Sequence, residues 1–496
     1  MTTPPAAYLA LERQFARRAG LQGALGILNW DSRTMMPAAS AAARADQVAA
    51  LEGAIHAALL DPRVDDWLDS AAGNAHLLDD WQRANLTEMR REHRLATAVP
   101  ADLVEANARD AARCEVVWRT AKARNDYGLL LPHLRQVLAH QREIAAANAA
   151  VLDCGLYDAL HEIYEPGSRV ADYGPIFDDY AAFLPGFLAE VEAVQDQEPA
   201  PAPFQGLFDV TAQRELVQRL AGVLGFAGRV DQSLHAFCGG ATGDVRITTR
   251  LDPDNFFKAL KSGLHEAGHA LYEMGRPAAW AAQPVGLARG LAVHESQSLT
   301  FDMQVGRHPR FLEWLAPQLA AAFGGQGVAW TADNLRRRFR RVERSFIRVD
   351  ADEVTYPAHV ILRWRLEQAL IQGAMDLADL PDAWNQGMRE LLGITPPDTA
   401  MGCLQDIHWP SGAWGYFPTY TLGAMMAAQL FQAALTAMPD LPDRLARGDF
   451  AGLVAWLGEN VHRWGRYLST RDMMVRATGK PLDAGIFKAH LRARYL

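Results

Sequence analysis

Along almost the whole chain, apolar residues recur at three- and four-residue spacing among abundant Ala, Leu, Arg and Glu, while alternating runs are few and short. A period near 3.6 lines such residues along one face of an α-helix, and these residue types lose little on entering one. The fold is therefore predicted to be mainly α. The best strand is Asp244-Val245-Arg246-Ile247-Thr248-Thr249, rich in β-branched residues, so a small β element is expected near 244–250. Three prolines in five residues at Pro199-Ala200-Pro201-Ala202-Pro203 break any helix and divide an N-terminal helical lobe of about 1–198 from a second lobe of about 204–496. Irregular structure is expected at Phe237-Cys238-Gly239-Gly240 through Gly243, at Gly324-Gly325 and at Thr395-Pro396-Pro397.

At 496 residues, 49% hydrophobic and 22% charged, the chain has the composition of a folded soluble protein. A net charge of −9 argues against a nucleic-acid partner, which would demand a basic surface. Cys114, Cys154, Cys238 and Cys403 are scattered without a CxxC pair, so neither a sulfur-ligated zinc site nor a disulfide framework is expected. No stretch of about 18 apolar residues suits a membrane span, and the N-terminus does not read as a signal peptide. The expectation is a cytoplasmic protein with no membrane partner.

A helix beginning at Asp254 and ending near Gly275 and Pro277 carries the chemistry. Phe256, Phe257, Leu260, Leu264, Ala267, Leu271 and Met274 form its apolar stripe. Lys258, Lys261, Ser262, His265, Glu266, His269 and Glu273 fall on the opposite arc. Residues four apart share a face, so His265 and His269 can offer two imidazole nitrogens to one ion. Glu266, about 100° round the helix, lies beside that ion, where a general base is wanted. A five-residue pattern of this kind also arises by chance in a chain with 15 histidines, and two histidines do not hold zinc. A third ligand is required. Glu295, in His294-Glu295-Ser296-Gln297, is the candidate; a two-histidine, one-glutamate set leaves a fourth position open for water.

Five motifs occur in order: Asp244-Val245-Arg246-Ile247-Thr248; His265 to His269; His294-Glu295-Ser296-Gln297; Ile347-Arg348-Val349-Asp350-Ala351-Asp352; and Gly402-Cys403-Leu404-Gln405-Asp406-Ile407-His408-Trp409. With Trp30-Asp31 and Met36-Pro37, they make the chain resemble the carboxypeptidase Taq family of metallocarboxypeptidases, which is similar in fold to the angiotensin-converting-enzyme group. The resemblance implies a single catalytic domain over 1–496, a large two-lobed helical body around a deep groove. It also implies one Zn2+ per chain, replaceable by Co2+, on His265, His269 and Glu295, with Glu266 as base. The implied activity is release of C-terminal amino acids from peptides with broad specificity, by a homodimer. In contrast to the wider zinc-peptidase pattern, the position four after Glu295 is Leu299, so no Asp stands there to orient a ligand histidine.

An exopeptidase must recognise a free carboxylate, and a guanidinium does so through two parallel hydrogen bonds. Arg348 holds the arginine position of the fourth motif; Arg246 of the first is the rival, or holds a loop through Asp244. The other arginines between Leu335 and Arg348 read as a solvated helix face. His408 and Tyr420 are candidates to steady a developing oxyanion, with Tyr416 a rival for Tyr420. Asp350, Asp352, Gln405 and Asp406 are expected to orient the arginine and the histidine. An oligo-endopeptidase on the same scaffold, or a non-catalytic helical scaffold binding metal or peptide, are the alternatives.

Overall fold

The structure, a computed structural model, describes residues 3–496. Twenty α-helices occur among the described residues, together with one three-stranded sheet: β1 (Arg229–Gln232), β2 (Cys238–Ala241) and β3 (Asp244–Thr249), in the order β1-β3-β2. The mainly α expectation holds, and the predicted strand is the centre of the sheet. β3 runs parallel to β1 and antiparallel to β2, with Cys238 opposite Ile247 and Ala241 opposite Asp244. No helix among the described residues is long and apolar enough to cross a membrane.

The Cys238-Gly239-Gly240 stretch, expected to be irregular, is strand β2. Its glycines carry no β propensity of their own; pairing with β3 across a two-residue turn imposes the strand, with Gly243 at φ 82°. The long N-terminal helix Ala6–Thr34 lies close against it. A Cβ on Gly26 would stand 2.2 Å from the Gly240 carbonyl oxygen, so only glycine permits the approach. Trp30 on that helix donates to Asp231 of β1 at 3.2 Å and packs on Phe237, ring centroids 5.0 Å apart.

The helix bearing the two histidines spans Phe256–Gly275 and is capped by Asn255, whose side chain accepts from the Phe257 N–H, not by Asp254. Phe256, Leu260, Leu264, Ala267 and Leu271 pack into a core with Phe311, Leu312 and Leu315, as the stripe predicted. Met274 departs from it, 47% exposed in the last turn. A second large core joins residues such as Phe177 and Leu184 to Ile361, Leu422 and Leu430, and a smaller one gathers Tyr8, Leu11, Phe15 and Leu68 near the N-terminus. The helix Val170–Gln195 ends at the predicted proline break, and the next helix begins at Val210.

Candidate active site and metal centre

Three segments converge beside β2. The first is the two-histidine helix; the second is the helix Leu291–Leu299, extended by a π-helical turn over Thr300–Val305; the third is the helix Pro418–Ala437. Glycines let them meet. A Cβ on Gly268 would come within 2.5 Å of the Gln297 carbonyl, and one on Gly423 within 2.7 Å of the Glu295 Cβ. The segment carrying Glu295 is thus gripped between two backbones that no larger residue would allow so near.

That grip brings His265, His269 and Glu295 together, one ligand atom from each lying within 4.8 Å of the others. Glu295 Oε2 lies 3.7 Å from His265 Nε2 and 3.6 Å from His269 Nε2. A tetrahedral zinc with bonds of about 2.0–2.1 Å spaces its ligands by roughly 3.3–3.4 Å, so the donor set needs only a slight contraction to hold a divalent ion. Ser298 Oγ donates to Glu295 Oε2 at 3.3 Å and helps to fix its orientation.

A carboxylate does stand beside one of the candidate ligand histidines, from Asp302. Its Oδ2 is buried without a hydrogen bond and stands 3.7 Å from His265 Nδ1, on the side of the ring turned away from Glu295. His269 is held differently. Its Nδ1 lies 2.6 Å from His294 Nδ1, and His294 Nε2 meets Glu273 Oε1 at 2.9 Å, which in turn pairs with Arg276 at 2.8 Å. Burial alone would make both ligand imidazoles hard to protonate. Glu295 and Asp302 nevertheless hold His265 up at about 9, whereas burial and the two neighbouring histidines keep His269 well below its ordinary value.

Glu266 is 6% exposed, not on an open polar face, and the backbone of Cys238 in β2 hydrogen-bonds to it. Burial pushes its carboxyl up to about 7, against the pull of His265. It lines a cavity of about 610 Å³ together with the three candidate ligand residues, Arg348, Tyr416 and Tyr420. Cys238, Leu291 and His294 are shared with a larger neighbouring cavity of about 920 Å³, which runs beneath the N-terminal helix.

Arg348 is 6% exposed and sits on a 3₁₀ turn over Arg348–Asp350. Its Nε and Nη2 donate to Asp406 Oδ1 at 3.1 and 2.9 Å, and Nη1 reaches the Tyr356 hydroxyl at 3.4 Å. The other oxygen of Asp406 is taken by fully buried Arg363, whose Nε donates at 2.7 Å. Gln405 accepts from the Arg348 N–H at 2.9 Å, and Asp352 accepts from the Thr355 N–H at 3.0 Å. Gln405 and Asp406 thus touch the arginine as expected, whereas the Asp350 side chain is exposed. Five of the other arginines of the run have carboxylate partners, Arg336 and Arg337 with Asp333, Arg340 with Glu198, Arg341 with Glu343 and Arg344 with Glu192, whereas Arg338 lies over the Phe204 and Phe257 rings.

Arg246 does not line the ligand cavity. It pairs with Asp244 through Nε at 2.8 Å and Nη2 at 2.5 Å and lies over the Trp30 ring. His408 lies behind Tyr420, Nε2 to hydroxyl 3.2 Å, and burial with Arg348 nearby keeps its imidazole down at about 3. Burial raises the Tyr420 and Tyr416 hydroxyls above their ordinary range, so both remain proton donors.

Asp302, His294, Arg363 and the two glycines were not singled out in the sequence. Asp302 had a usable signal: seven residues past Glu295 is two helical turns, hence the same face.

The carboxypeptidase Taq (M32) metallopeptidase family model matches residues 10–495. Thermostable carboxypeptidase 1 of Thermus thermophilus is 37% identical, covering 99% of both chains, and carboxypeptidase 1 of Bacillus subtilis is 31% identical, covering 95% of this chain and 94% of that one. Among solved structures, metallocarboxypeptidase 1 of Trypanosoma cruzi is similar at a TM-score of 0.96 and 37% identity, covering 99% of each chain. The chain belongs to the carboxypeptidase Taq (M32) family of metallopeptidases and is a peptide hydrolase.

Proposed function

We propose that the chain is a zinc carboxypeptidase that removes C-terminal amino acids from peptides, with Arg348 as carboxylate anchor and Glu266 as general base. A charge count carries this reading. Two buried guanidiniums, Arg348 and Arg363, share the single carboxylate of Asp406, and Arg348 lines the cavity that holds the three ligand residues. One positive charge is left over where a peptide's terminal carboxylate would lie, and a buried charge seeks a partner.

Two imidazoles and a carboxylate suit zinc, and cobalt is expected to replace it. Bound there, such an ion supplies Lewis acidity toward the scissile carbonyl and toward water. Glu266 takes the proton of the attacking water and passes it to the departing amine. The Tyr420 hydroxyl donates to the oxyanion, with neutral His408 holding that hydroxyl at 3.2 Å and Tyr416 beside it. Arg246, held by Asp244 and Trp30, is assigned to the sheet and not to the substrate.

Mass spectrometry of a mixed peptide set with added zinc tests the reading. Ladders shortened from the C-terminus are expected, with amidated peptides left intact. Internal cleavage that ignores amidation would instead mark an oligo-endopeptidase.

A further inference from the structure

The turn that carries Asp302 is held from the far end of the chain. Thr300–Val305 is a single π-helical turn that ends its helical segment, and the last carbonyls of a helix have no partner within it and call for other donors. Arg494, in the final helix Ala484–Tyr495, supplies them: Nη1 donates to the Met303 carbonyl at 2.7 Å and Nη2 to that of Gln304 at 3.3 Å. The same Nη1 donates to Glu353 Oε2 at 2.8 Å.

Glu353 is 1% exposed and also accepts from Gln304 Nε2 at 3.0 Å, His490 Nε2 at 2.9 Å and the Tyr495 hydroxyl at 3.0 Å. One buried carboxylate therefore joins three segments: the turn beside the metal centre, the loop that continues from Arg348, and the last helix. Arg307, just past the turn, closes the set on the Tyr495 hydroxyl at 3.3 Å.

We propose that Arg494 is a positioning residue for the metal centre, fixing the π-helical turn so that Asp302 faces His265. Asp302 immediately precedes Met303, so the carbonyl that Arg494 holds lies one peptide unit along the backbone from Asp302. The inference rests on His265, His269 and Glu295 being the metal site.

The test is zinc affinity of the purified full chain, measured by competition with a chromophoric chelator, alongside thermal melting of the metal-free protein. Arg494→Met is expected to raise the zinc Kd at least about tenfold, in the range typical of lost support to a ligand histidine. Arg492→Met is the control; Arg492 lies on the same helix but pairs with surface Glu190 and should leave Kd unchanged. Arg494→Met leaves Glu353 short of a cation, so the double variant Arg494→Met/Glu353→Gln removes that imbalance. Continued weak zinc binding in the double variant, despite a melt restored toward wild type, supports the proposal. Wild-type zinc affinity in the double variant, with only the melt altered, overturns it. If wild type binds no zinc, or His265→Ala leaves Kd unchanged, the metal reading fails first.

Discussion

Asp302 faces the Nδ1 of His265 across 3.7 Å while Glu295 faces the Nε2 of the same ring at the same distance, so one imidazole stands between two carboxylates seven residues apart on one segment. On the proposed reading, Glu295 shares the ion and Asp302 orients the ring. Asp302→Asn should therefore weaken zinc binding by roughly 10–100-fold without removing any ligand. Isothermal titration or chelator competition measures it; an unchanged Kd would assign Asp302 to packing alone.

Glu266→Gln removes the base and keeps the shape of the cavity wall. Turnover should fall by about 10²–10⁴-fold while zinc still binds at one ion per chain. Metal analysis of the same preparation whose rate is measured separates loss of the base from loss of the ion.

Arg348→Gln should weaken cleavage of peptides with a free C-terminus and erode the discrimination against amidated ones. The expected signature is a rise in KM for a peptide with a free C-terminus and a fall in kcat/KM of about tenfold or more, charge-assisted hydrogen bonds being worth about 1.5–3 kcal/mol each. A lowered thermal melt together with lost zinc binding would point instead to collapse of the Asp406 cluster.

Gly423→Ala places a methyl group 2.7 Å from the Glu295 Cβ and 2.8 Å from its Cγ. The ligand must shift, so zinc affinity should fall about tenfold or more while circular dichroism stays helical. Ala at Gly20, where a Cβ meets nothing within 4 Å, is the matched control.

Zinc binding should strengthen with pH. A ligand imidazole must be neutral, and His265 is held up at about 9 by Glu295 and Asp302 against burial, so below that pH the ion displaces its proton. Apparent affinity should gain about tenfold per pH unit from this group between pH 6 and 8 and level off near 9. His269, already neutral, adds no such dependence. Chelator competition at several pH values reads the slope; a flat profile would contradict the assignment.

That His265 and His269 would stand together was legible because a helix turns fixed spacing into fixed geometry: positions 265 and 269 share a face wherever the helix lies, whereas Glu295 was pointed to by its family motif and is brought to them by the tertiary fold. Fold class followed from periodicity in the same way. Strand β2 was not legible, since Gly239 and Gly240 owe their conformation to β3 and to Gly26 of the N-terminal helix. Arg348 and Arg246 looked alike as motif arginines. What separates them is tertiary: Asp244 is a local partner two residues from Arg246, whereas Arg348 meets Asp406 from 58 residues away in a buried cluster. His294 was quoted with its motif yet carried no assigned role, because its contact to His269 depends on how two helices cross at Gly268.

The surplus positive charge left by Arg348, Arg363 and Asp406 bears on what happens after the bond is cut. A guanidinium does not titrate in any ordinary buffer, so the grip on a carboxylate cannot be released by a change of pH. The liberated amino acid carries the same carboxylate that held the substrate in place. On the proposed reading it departs only because it has lost the rest of the peptide's hold, and an accumulating pool of free amino acids competes for the same charge. The anchor that selects chain ends thereby makes the enzyme responsive to its own product.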